Sequence, residues 1–138
     1  MIDLGTEFGA RADRRLREEK VAWLTTVRPD GTPIPVPVWF LWDGETILIY
    51  SQPRTGKLRN IAGNPRAALH LRTDEHGNEV VVLTGDARVD PAAQPLDANQ
   101  AFVEKYAELI AGMKTTAGAM AADYSVAVRL RPDRISGF

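Results

Sequence analysis

The sequence predicts a mainly β fold, a small antiparallel β-barrel with flanking helices that forms a single domain over residues 1–138. Short runs rich in β-branched and aromatic residues recur along the chain, and turns containing Gly, Pro or Asp separate them. Helical periodicity occurs in few places and does not alternate with strands, which argues against a βαβ architecture. We therefore expect about six strands that close into a barrel.

The first half of the chain predicts a helix followed by three strands. An apolar stripe with a four-residue period predicts a charged surface helix and comprises Leu4, Phe8, Ala12 and Leu16. Residues 21–27 form a strand, and the turn at 28–32 pairs it with a second strand that ends near Phe40. A third strand is predicted at 46–50, and we expect these three strands to form a meander.

The second half predicts two helices and further strands. Thr55 can cap a short helix, and a longer helix begins near Asp97. The strands are predicted at 67–73, at 79–89 and in the C-terminal segment from 124. Gly85 marks a bulge or bend in the second of these strands, and a turn at Pro132-Asp133 is expected to break the last one.

Charge and composition exclude several classes of function. With 17 Lys and Arg against 18 Asp and Glu, the net charge is -1, so no bulk field attracts nucleic acid or an anionic membrane. The chain has no cysteine, and its two histidines cannot form a metal cluster alone. No apolar run approaches the roughly 20 residues of a membrane span, and the first residues lack a signal-peptide core. We expect a cytoplasmic protein without a metal site.

The second predicted strand carries proline at every second position, namely at Pro33, Pro35 and Pro37. The N–H and C=O of one residue point to the same edge of a strand, and successive residues alternate edges, so one edge lacks donors. One interpretation is protection against edge-to-edge aggregation. The other is that a flat ring with its own donors and acceptors lies along this edge. The residues alone leave both interpretations open.

The segment after the third strand is basic where a helix begins. Arg54, Lys57 and Arg59 crowd its first turn, where the helix dipole disfavours cations. An anion would reverse this effect, because the helix amides, the cations and the hydroxyls of Ser51 and Thr55 together suit a phosphate. A solvated basic surface is the alternative. The segment is not a Walker A loop, since GxxxxGK[ST] is absent.

The sequence contains no recognisable set of catalytic side chains. The motifs GxGxxG, GxSxG and HExxH are absent, and neither His70 nor His76 has an evident triad partner. Trp23, Trp39 and Trp42 are predicted to line the core or a pocket. If the protein is an enzyme, a bound redox group carries the reaction, and no catalytic residue is assigned.

Nearly the whole chain resembles the pyridoxamine 5′-phosphate oxidase-like split β-barrel superfamily. The resemblance lies in residues 21–71, in "VVLTGDARV" at 81–89 and in the terminal "RPDRISGF", and it is greatest to the coenzyme F420-dependent oxidoreductases of actinobacteria. It implies a six-stranded antiparallel split barrel of the FMN-binding type and a homodimer with cofactor sites at the subunit interface. The C-terminal substrate-binding residues of pyridoxamine phosphate oxidases are missing, which argues against vitamin B6 oxidation.

The resemblance implies a cofactor site along the proline strand and at the start of the following helix. The strand would lie beside the cofactor ring, and "YS" with "TGK" resembles a phosphate-binding motif. Arg59 and Asn60 are weaker candidates. The implied cofactor-binding residues are Pro35, Val36, Pro37, Val38, Trp39, Tyr50, Ser51, Arg54, Thr55, Lys57 and Asn60.

The implied function is hydride transfer between reduced coenzyme F420 and an unsaturated or quinone-like small molecule. An FMN-dependent oxidase or reductase on the same barrel stays open, because FMN also presents a phosphate and a tricyclic ring. A non-catalytic carrier of a flavin-like or tetrapyrrole ligand is a third reading.

Overall fold

The computed structural model describes residues 2–138, in which four α-helices flank one β-sheet. The helices are α1 (Glu7–Glu18), α2 (Gly56–Gly63), α3 (Gln100–Gly112) and α4 (Ala117–Asp123), and a short 3₁₀ helix spans Leu96–Ala98. The strands are β1 (Ala22–Val27), β2 (Pro33–Val38), β3 (Leu41–Trp42), β4 (Ile47–Ser51), β5 (Arg66–His70), β6 (Val81–Val89) and β7 (Val126–Gly137).

The described strands form one seven-stranded sheet in the order β2-β1-β5-β6-β7-β4-β3, and all neighbours are antiparallel. The sheet curls into a half-barrel, which confirms the mainly β architecture with flanking helices. The prediction of six strands was wrong, because the short strand β3 forms after the corner at residues 39–40. The closed barrel was also wrong, since β2 and β3 each pair with one described strand and leave the sheet open.

The predicted three-stranded meander is wrong in its last step. β4 pairs with β3 and β7 and does not lie beside β2. The prolines of β2 give the reason, because their edge lacks the N–H donors that a third strand would need. The chain therefore leaves β2 at Trp39 and forms β3 at the far edge of the sheet.

The predicted irregularity at Gly85 is confirmed, although the extra residue lies in β7. Gly85 pairs with Pro132, and the register shift at this point leaves Asp133 as the additional residue. A Cβ on Gly85 would lie 2.1 Å from the carbonyl oxygen of Arg131, so a larger residue does not fit. The predicted turn at Pro132-Asp133 was wrong, because β7 runs through it as a bulged strand.

Two apolar cores hold the sheet and its helices together. The first lies inside the curled sheet and is covered by α1, whose predicted stripe contributes the fully buried Ala12 and Leu16. The second lies between β4, β7 and the helices α3 and α4, and it contains Tyr50, Phe102 and Tyr106. Within residues 2–138, no helix combines the length and the apolar character that crossing a membrane would require.

Candidate functional site

The donor-poor edge of β2 lies where the sequence predicts it. The N–H of Arg28 donates to the carbonyl of Thr32 at 2.9 Å, which makes these residues a hydrogen-bonded pair. Bonded and non-bonded pairs alternate along an antiparallel ladder, so Pro33, Pro35 and Pro37 occupy the non-bonded positions opposite β1. Their carbonyls point away from β1, to an edge that no described strand covers.

Two cavities follow one another along β2. The first, of about 390 Å³, lies where β2 ends and is lined mainly by apolar and aromatic side chains, among them Pro37, Val38 and Trp39. The second, of about 460 Å³, lies nearer the β1–β2 hairpin and includes Ile34 and Val36. We call them the apolar cavity and the basic cavity. Lys57 lines both, so its side chain marks their junction.

Lys57 is a half-buried cation at this junction. Within residues 2–138 its ammonium group makes no hydrogen bond or ion pair with a side chain. Burial lowers its pKa below the ordinary value of a lysine. A cation held out of water without an acceptor is unfavourable, and a cleft in which this occurs is a candidate binding site for an anion.

The loop before α2 brings the predicted phosphate-binding residues close together. Thr55 occupies the N-cap position of α2 but makes no capping hydrogen bond, so the first-turn amides have no side-chain acceptor from it. Its hydroxyl lies 3.2 Å from the hydroxyl of Ser51, which is fully buried and donates to the carbonyl of Gln52 at 2.8 Å. The buried hydroxyl of Ser51 therefore holds the loop and the hydroxyl of Thr55 in position.

Arg54 and Arg59 are placed differently from Lys57. Arg54 is exposed and has a φ of 62°, a conformation that costs free energy for any residue with a Cβ. Arg59 folds back and donates to the carbonyl oxygen of Arg54 at 2.8 Å. This contact supports the strained backbone at the start of the helix, and strain of this kind is common at ligand-binding loops.

Asn60 has a structural contact that its sequence position did not indicate. Its side chain is buried and its Nδ2 donates to Oγ1 of Thr26 at 3.0 Å. This bond joins α2 to β1 beneath the basic cavity. We expect Asn60 to hold the helix in position relative to the sheet.

Tyr50 contributes an aromatic surface to the apolar cavity. Its hydroxyl donates to the carbonyl of Gln94 at 2.7 Å and accepts from Nδ2 of Asn99 at 3.1 Å. Its ring lies edge-on to Phe102, with centroids 4.9 Å apart. Burial raises the pKa of its hydroxyl above the ordinary value. Because that hydroxyl is engaged and held protonated, Tyr50 lines the cavity without being available as a base.

Trp39 is held by a network that sequence analysis missed. Its ring stacks on Tyr106, whose hydroxyl accepts from the N–H of Phe40 at 2.7 Å and donates to the carbonyl of Lys20 at 2.6 Å. Lys105 donates to the carbonyl of Phe40 at 2.9 Å and lies 3.8 Å from the centre of its ring. Two consecutive residues of α3 thus fix the corner that follows β2.

The predicted site residues fall into three groups. Pro37, Val38, Trp39, Tyr50 and Lys57 line the apolar cavity, and Val36, Thr55, Lys57 and Asn60 line the basic cavity. Pro35, Ser51 and Arg54 line neither. Sequence reasoning missed the cavity residues Val21, Leu96, Phe102, Met113, Met120 and Tyr124, together with Thr26, Arg28, Pro29 and Ile34.

Comparison with known proteins then decides the family. Residues 8–137 match the pyridoxamine 5′-phosphate oxidase family. The chain belongs to this family. No curated protein sequence matches it.

Solved structures that share the fold of this family resemble the chain over nearly its whole length. An F420 reductase is 26% identical with a TM-score of 0.66, and the similarity covers 90% of this chain and 94% of that one. A putative pyridoxamine 5′-phosphate oxidase from Listeria innocua is 21% identical with a TM-score of 0.66, covering 92% and 94%. HutZ, a heme storage protein from Vibrio cholerae, is 16% identical with a TM-score of 0.63, covering 95% and 93%.

In this member of the pyridoxamine 5′-phosphate oxidase family, the apolar cavity offers little acid–base chemistry of its own. The titratable side chains in its described lining are Tyr50, Lys57 and Tyr124, and none is a carboxylic acid or a histidine. The arrangement can enclose an apolar ring, exclude water and neutralise a negative charge at one end. These are the tasks that a protein performs for a redox cofactor.

Proposed function

We propose that this chain is a coenzyme F420-dependent oxidoreductase that transfers hydride between the reduced deazaflavin and an unsaturated or quinone-like small molecule. The observation that carries the proposal is Lys57, a half-buried cation that has no partner among the described residues and lies at the junction of an apolar and a basic cavity. The similarity to an F420 reductase over most of both chains supports the choice of deazaflavin.

The residues suit a ring with an anionic tail. The carbonyls of Pro35 and Pro37 point to an uncovered edge and can accept hydrogen bonds from ring N–H groups. Lys57, Thr55 and the first amides of α2 would hold the phosphate, and Arg54 would contribute from the solvent side. When bound, the deazaflavin supplies or accepts a hydride at its C5 position.

The remaining chemistry is positioning. Trp39 is fixed by its stacking on Tyr106 and presents a rigid aromatic wall to the apolar cavity. Side chains of α3 and α4, including Phe102 and Met120, close that cavity from the other side. Holding two reactants in a water-poor cleft lowers the entropic barrier to their reaction. We propose that the proton comes from solvent, since no carboxylic acid or histidine belongs to the described lining.

The proposal includes a homodimer with cofactor sites near the subunit interface. One row of residues crosses four successive strands at directly opposed positions, so its side chains share one face of the sheet. This row comprises Pro37, Trp23, His70 and Val82. Pro35, Thr25, Ala68 and Thr84 form the next row of the same face. Trp23 was predicted to be core or pocket lining, which is wrong: it is 40% exposed.

Between β2 and β6 these two rows carry no acidic residue, lysine or arginine, and the next position of the second row is Arg134 on β7. We therefore propose that the part of the face between β2 and β6 packs against the same part of a second copy. Trp23→Glu places a charge in the middle of the face without disturbing the core. We expect the wild type to sediment as a dimer and Trp23→Glu as a monomer with a similar far-UV spectrum. A monomeric wild type would reject the dimer but leave the cofactor assignment to be tested separately.

The deciding experiment is a titration of the purified protein with coenzyme F420 and with FMN. We expect micromolar or tighter binding of F420, and Lys57→Ala should weaken it by about 1–3 kcal/mol because a charge-assisted bond is lost. Arg54→Ala should cost less, since its side chain is exposed. Arg14→Ala, an exposed cation on α1, is the matched control for the loss of one charge.

Three outcomes would change the assignment. Tighter binding of FMN than of F420 would favour the FMN-dependent alternative, which the family membership also supports. Binding of neither, even at millimolar concentrations, would remove the redox-cofactor proposal. Retention of a tetrapyrrole without turnover would favour the carrier reading, to which the likeness with a heme storage protein contributes only the shared fold.

A further inference from the structure

The corner that follows β2 is bonded to a helix rather than to the sheet. Residues 39 and 40 belong to no strand, and Phe40 is fully buried. Its N–H donates to the hydroxyl oxygen of Tyr106 at 2.7 Å, and its carbonyl accepts from Nζ of Lys105 at 2.9 Å. Buried backbone groups need partners of this kind. Both partners lie on α3, so this helix sets the path of the chain between β2 and β3.

The same two side chains also bind the end of α1 and the residues that follow it. The hydroxyl of Tyr106 donates to the carbonyl of Lys20 at 2.6 Å, and the ammonium group of Lys20 donates to the carbonyl of Lys105. The ammonium group of Lys105 lies 3.5 Å from the carbonyl of Leu16 in α1. The corner, the end of α1 and α3 are therefore joined in one network of hydrogen bonds, in which the loss of one bond weakens the others.

Trp39 connects this network to the apolar cavity. Its side chain lines the cavity, and its ring stacks on that of Tyr106 with centroids 4.5 Å apart. Neither Tyr106 nor Lys105 belongs to the described lining of the cavity. They therefore reach a ligand in this cavity indirectly, through Trp39. A wall that is already ordered before binding removes the free-energy cost of ordering it when the ligand arrives.

We propose that Lys105 and Tyr106 are positioning residues for the cofactor ring and act on it through Trp39. The inference rests on the proposed function, because a ring must occupy the apolar cavity. It gives the two residues no role toward the anionic tail, since the hydrogen bonds of the network join the corner, the end of α1 and α3 but not α2. Removing either side chain should therefore weaken the binding of the ring and leave the contribution of the tail unchanged.

The positive charge of Lys105 strengthens the network. Its ammonium group lies 3.8 Å from the centre of the Phe40 ring, and this cation–π contact and the bond to the Phe40 carbonyl both weaken when the amine loses its proton. The titratable groups that face it are Glu19 and Lys20 after α1 and the hydroxyl of Tyr106 on α3. Burial and, to a lesser extent, Lys20 lower its pKa to about 8. The network should therefore weaken as the pH rises through this value.

The first test separates the ring from the anionic tail. Equilibrium binding of coenzyme F420, and of the deazaflavin that ends before the phosphate, is measured by ligand fluorescence at pH 7 for the wild type, Tyr106→Leu and Lys105→Met. We expect both ligands to bind the variants several-fold more weakly, because an aromatic stack or a charged contact is lost. The ratio of the two affinities, which measures the contribution of the tail, should stay within about twofold of the wild-type ratio.

Lys114→Met is the matched control for the loss of a lysine. Lys114 is exposed, directly follows the cap of α3 and does not belong to the described lining of the apolar cavity. Its replacement should change neither affinity. Lys57→Ala should give the reverse of the pattern expected for the positioning residues, because it should lower the ratio of the two affinities and leave the binding of the tail-less form nearly unchanged.

The pH dependence is a second readout. The affinity of the wild type relative to Lys105→Met should be several-fold higher at pH 7 and fall toward that of the variant by pH 9, because Lys105 then becomes neutral in the wild type as well. Lys57 and the ligand titrate in both proteins, so their effects cancel in this comparison. A ratio that stays constant from pH 7 to pH 9 would overturn the inference for Lys105, because the variant would then act through packing alone.

A third readout needs no ligand. Lys105 bonds to the backbone of the corner, so it affects the side chain of Trp39 only through the position of that corner. The fluorescence of Trp39 is obtained by difference from Trp39→Phe. Acrylamide should quench it more strongly in Lys105→Met than in the wild type, and equally in Lys114→Met and the wild type.

Unchanged quenching together with unchanged affinities in Lys105→Met would overturn the inference and leave the proposed function intact. A loss confined to the ligand that carries the phosphate would also overturn it, because the two residues would then serve the tail. Failure of the wild type to bind either ligand would instead remove the proposed function. If the far-ultraviolet spectrum shows that Tyr106→Leu is unfolded, Lys105→Met still decides the matter through all three readouts.

Discussion

The ring of Trp39 lies parallel to the ring of Tyr106, with centroids 4.5 Å apart and planes inclined by 3°. The two residues are far apart in sequence, so the contact joins the end of β2 to the middle of α3. The hydroxyl of Tyr106 also binds the backbone of Phe40, directly after Trp39. The position of Trp39 in the wall of the apolar cavity is therefore set by α3, which packs in the second core.

Tyr106→Phe should destabilise the protein although the aromatic stacking is kept. The buried N–H of Phe40 loses its acceptor, and an unsatisfied buried donor costs about 1–3 kcal/mol. The free energy of unfolding in urea measures the effect. Tyr124→Phe is the control, because within the described chain the hydroxyl of Tyr124 makes no hydrogen bond. Equal stability of the two variants would contradict the proposed role of this bond.

Lys105 should make stability depend on pH in the alkaline range. Burial, and to a lesser extent the nearby Lys20, lower its pKa to about 8, while Glu19 opposes this change. In the unfolded chain the lysine keeps its ordinary pKa of about 10.4. Between these values the unfolded state binds more protons, so the free energy of unfolding rises with pH. The side chain is partly exposed, and we expect a gain of about 1–2 kcal/mol.

The measurement is urea unfolding of the wild type and Lys105→Met from pH 7 to pH 9.5. The wild type should gain stability over this interval, and the variant should lose that gain. The series stops at pH 9.5 because burial raises the pKa of Tyr106 in the folded protein. At higher pH the tyrosines of the unfolded chain ionise first, and the free energy of unfolding then falls as the pH rises. Parallel pH profiles for the two proteins would show that Lys105 is not the responsible group.

Gly85→Ala should be among the most destabilising single-methyl additions in the sheet. The new Cβ would meet the backbone of Arg131 in the bulged partner strand, and backbone cannot rotate away as a side chain can. We expect a loss of about 2–4 kcal/mol in the free energy of unfolding. Gly63→Ala is the control, because nothing lies within 4 Å of its Cβ position, and it should be neutral or stabilising by up to about 1 kcal/mol.

Local chemistry determined which features could be predicted from the sequence. The blocked edge of β2 could be predicted because proline has no N–H. The irregularity at Gly85 could be predicted because a glycine inside a strand often marks a bulge. The position of β4 and the Trp39–Tyr106 stack depend on contacts between distant segments, which periodicity does not specify. The helical spacing of Phe102 and Tyr106 showed an apolar stripe but not which face of the sheet it covers.

The prolines of β2 allow the two interpretations of its edge to be separated. In Pro35→Thr/Pro37→Thr, two donors return to an edge that no described strand covers, at positions that do not bond to β1. Stability should change by less than about 1 kcal/mol, because threonine favours strands and no ladder bond is lost. The variant should form species larger than the proposed dimer as its concentration increases, since an open edge with donors and acceptors can pair with another chain.

Sedimentation of this double variant with and without coenzyme F420 distinguishes protection from binding. If the ring lies along the edge, saturating cofactor should cover it and reverse the association. Pro91→Thr, an exposed loop substitution, controls for the loss of a proline and should sediment like the wild type, without association beyond the proposed dimer. Association that persists unchanged in the cofactor-saturated variant would assign the prolines to protection alone. It would also require the ring to lie elsewhere, since one edge cannot pair with a strand and a ligand at the same time.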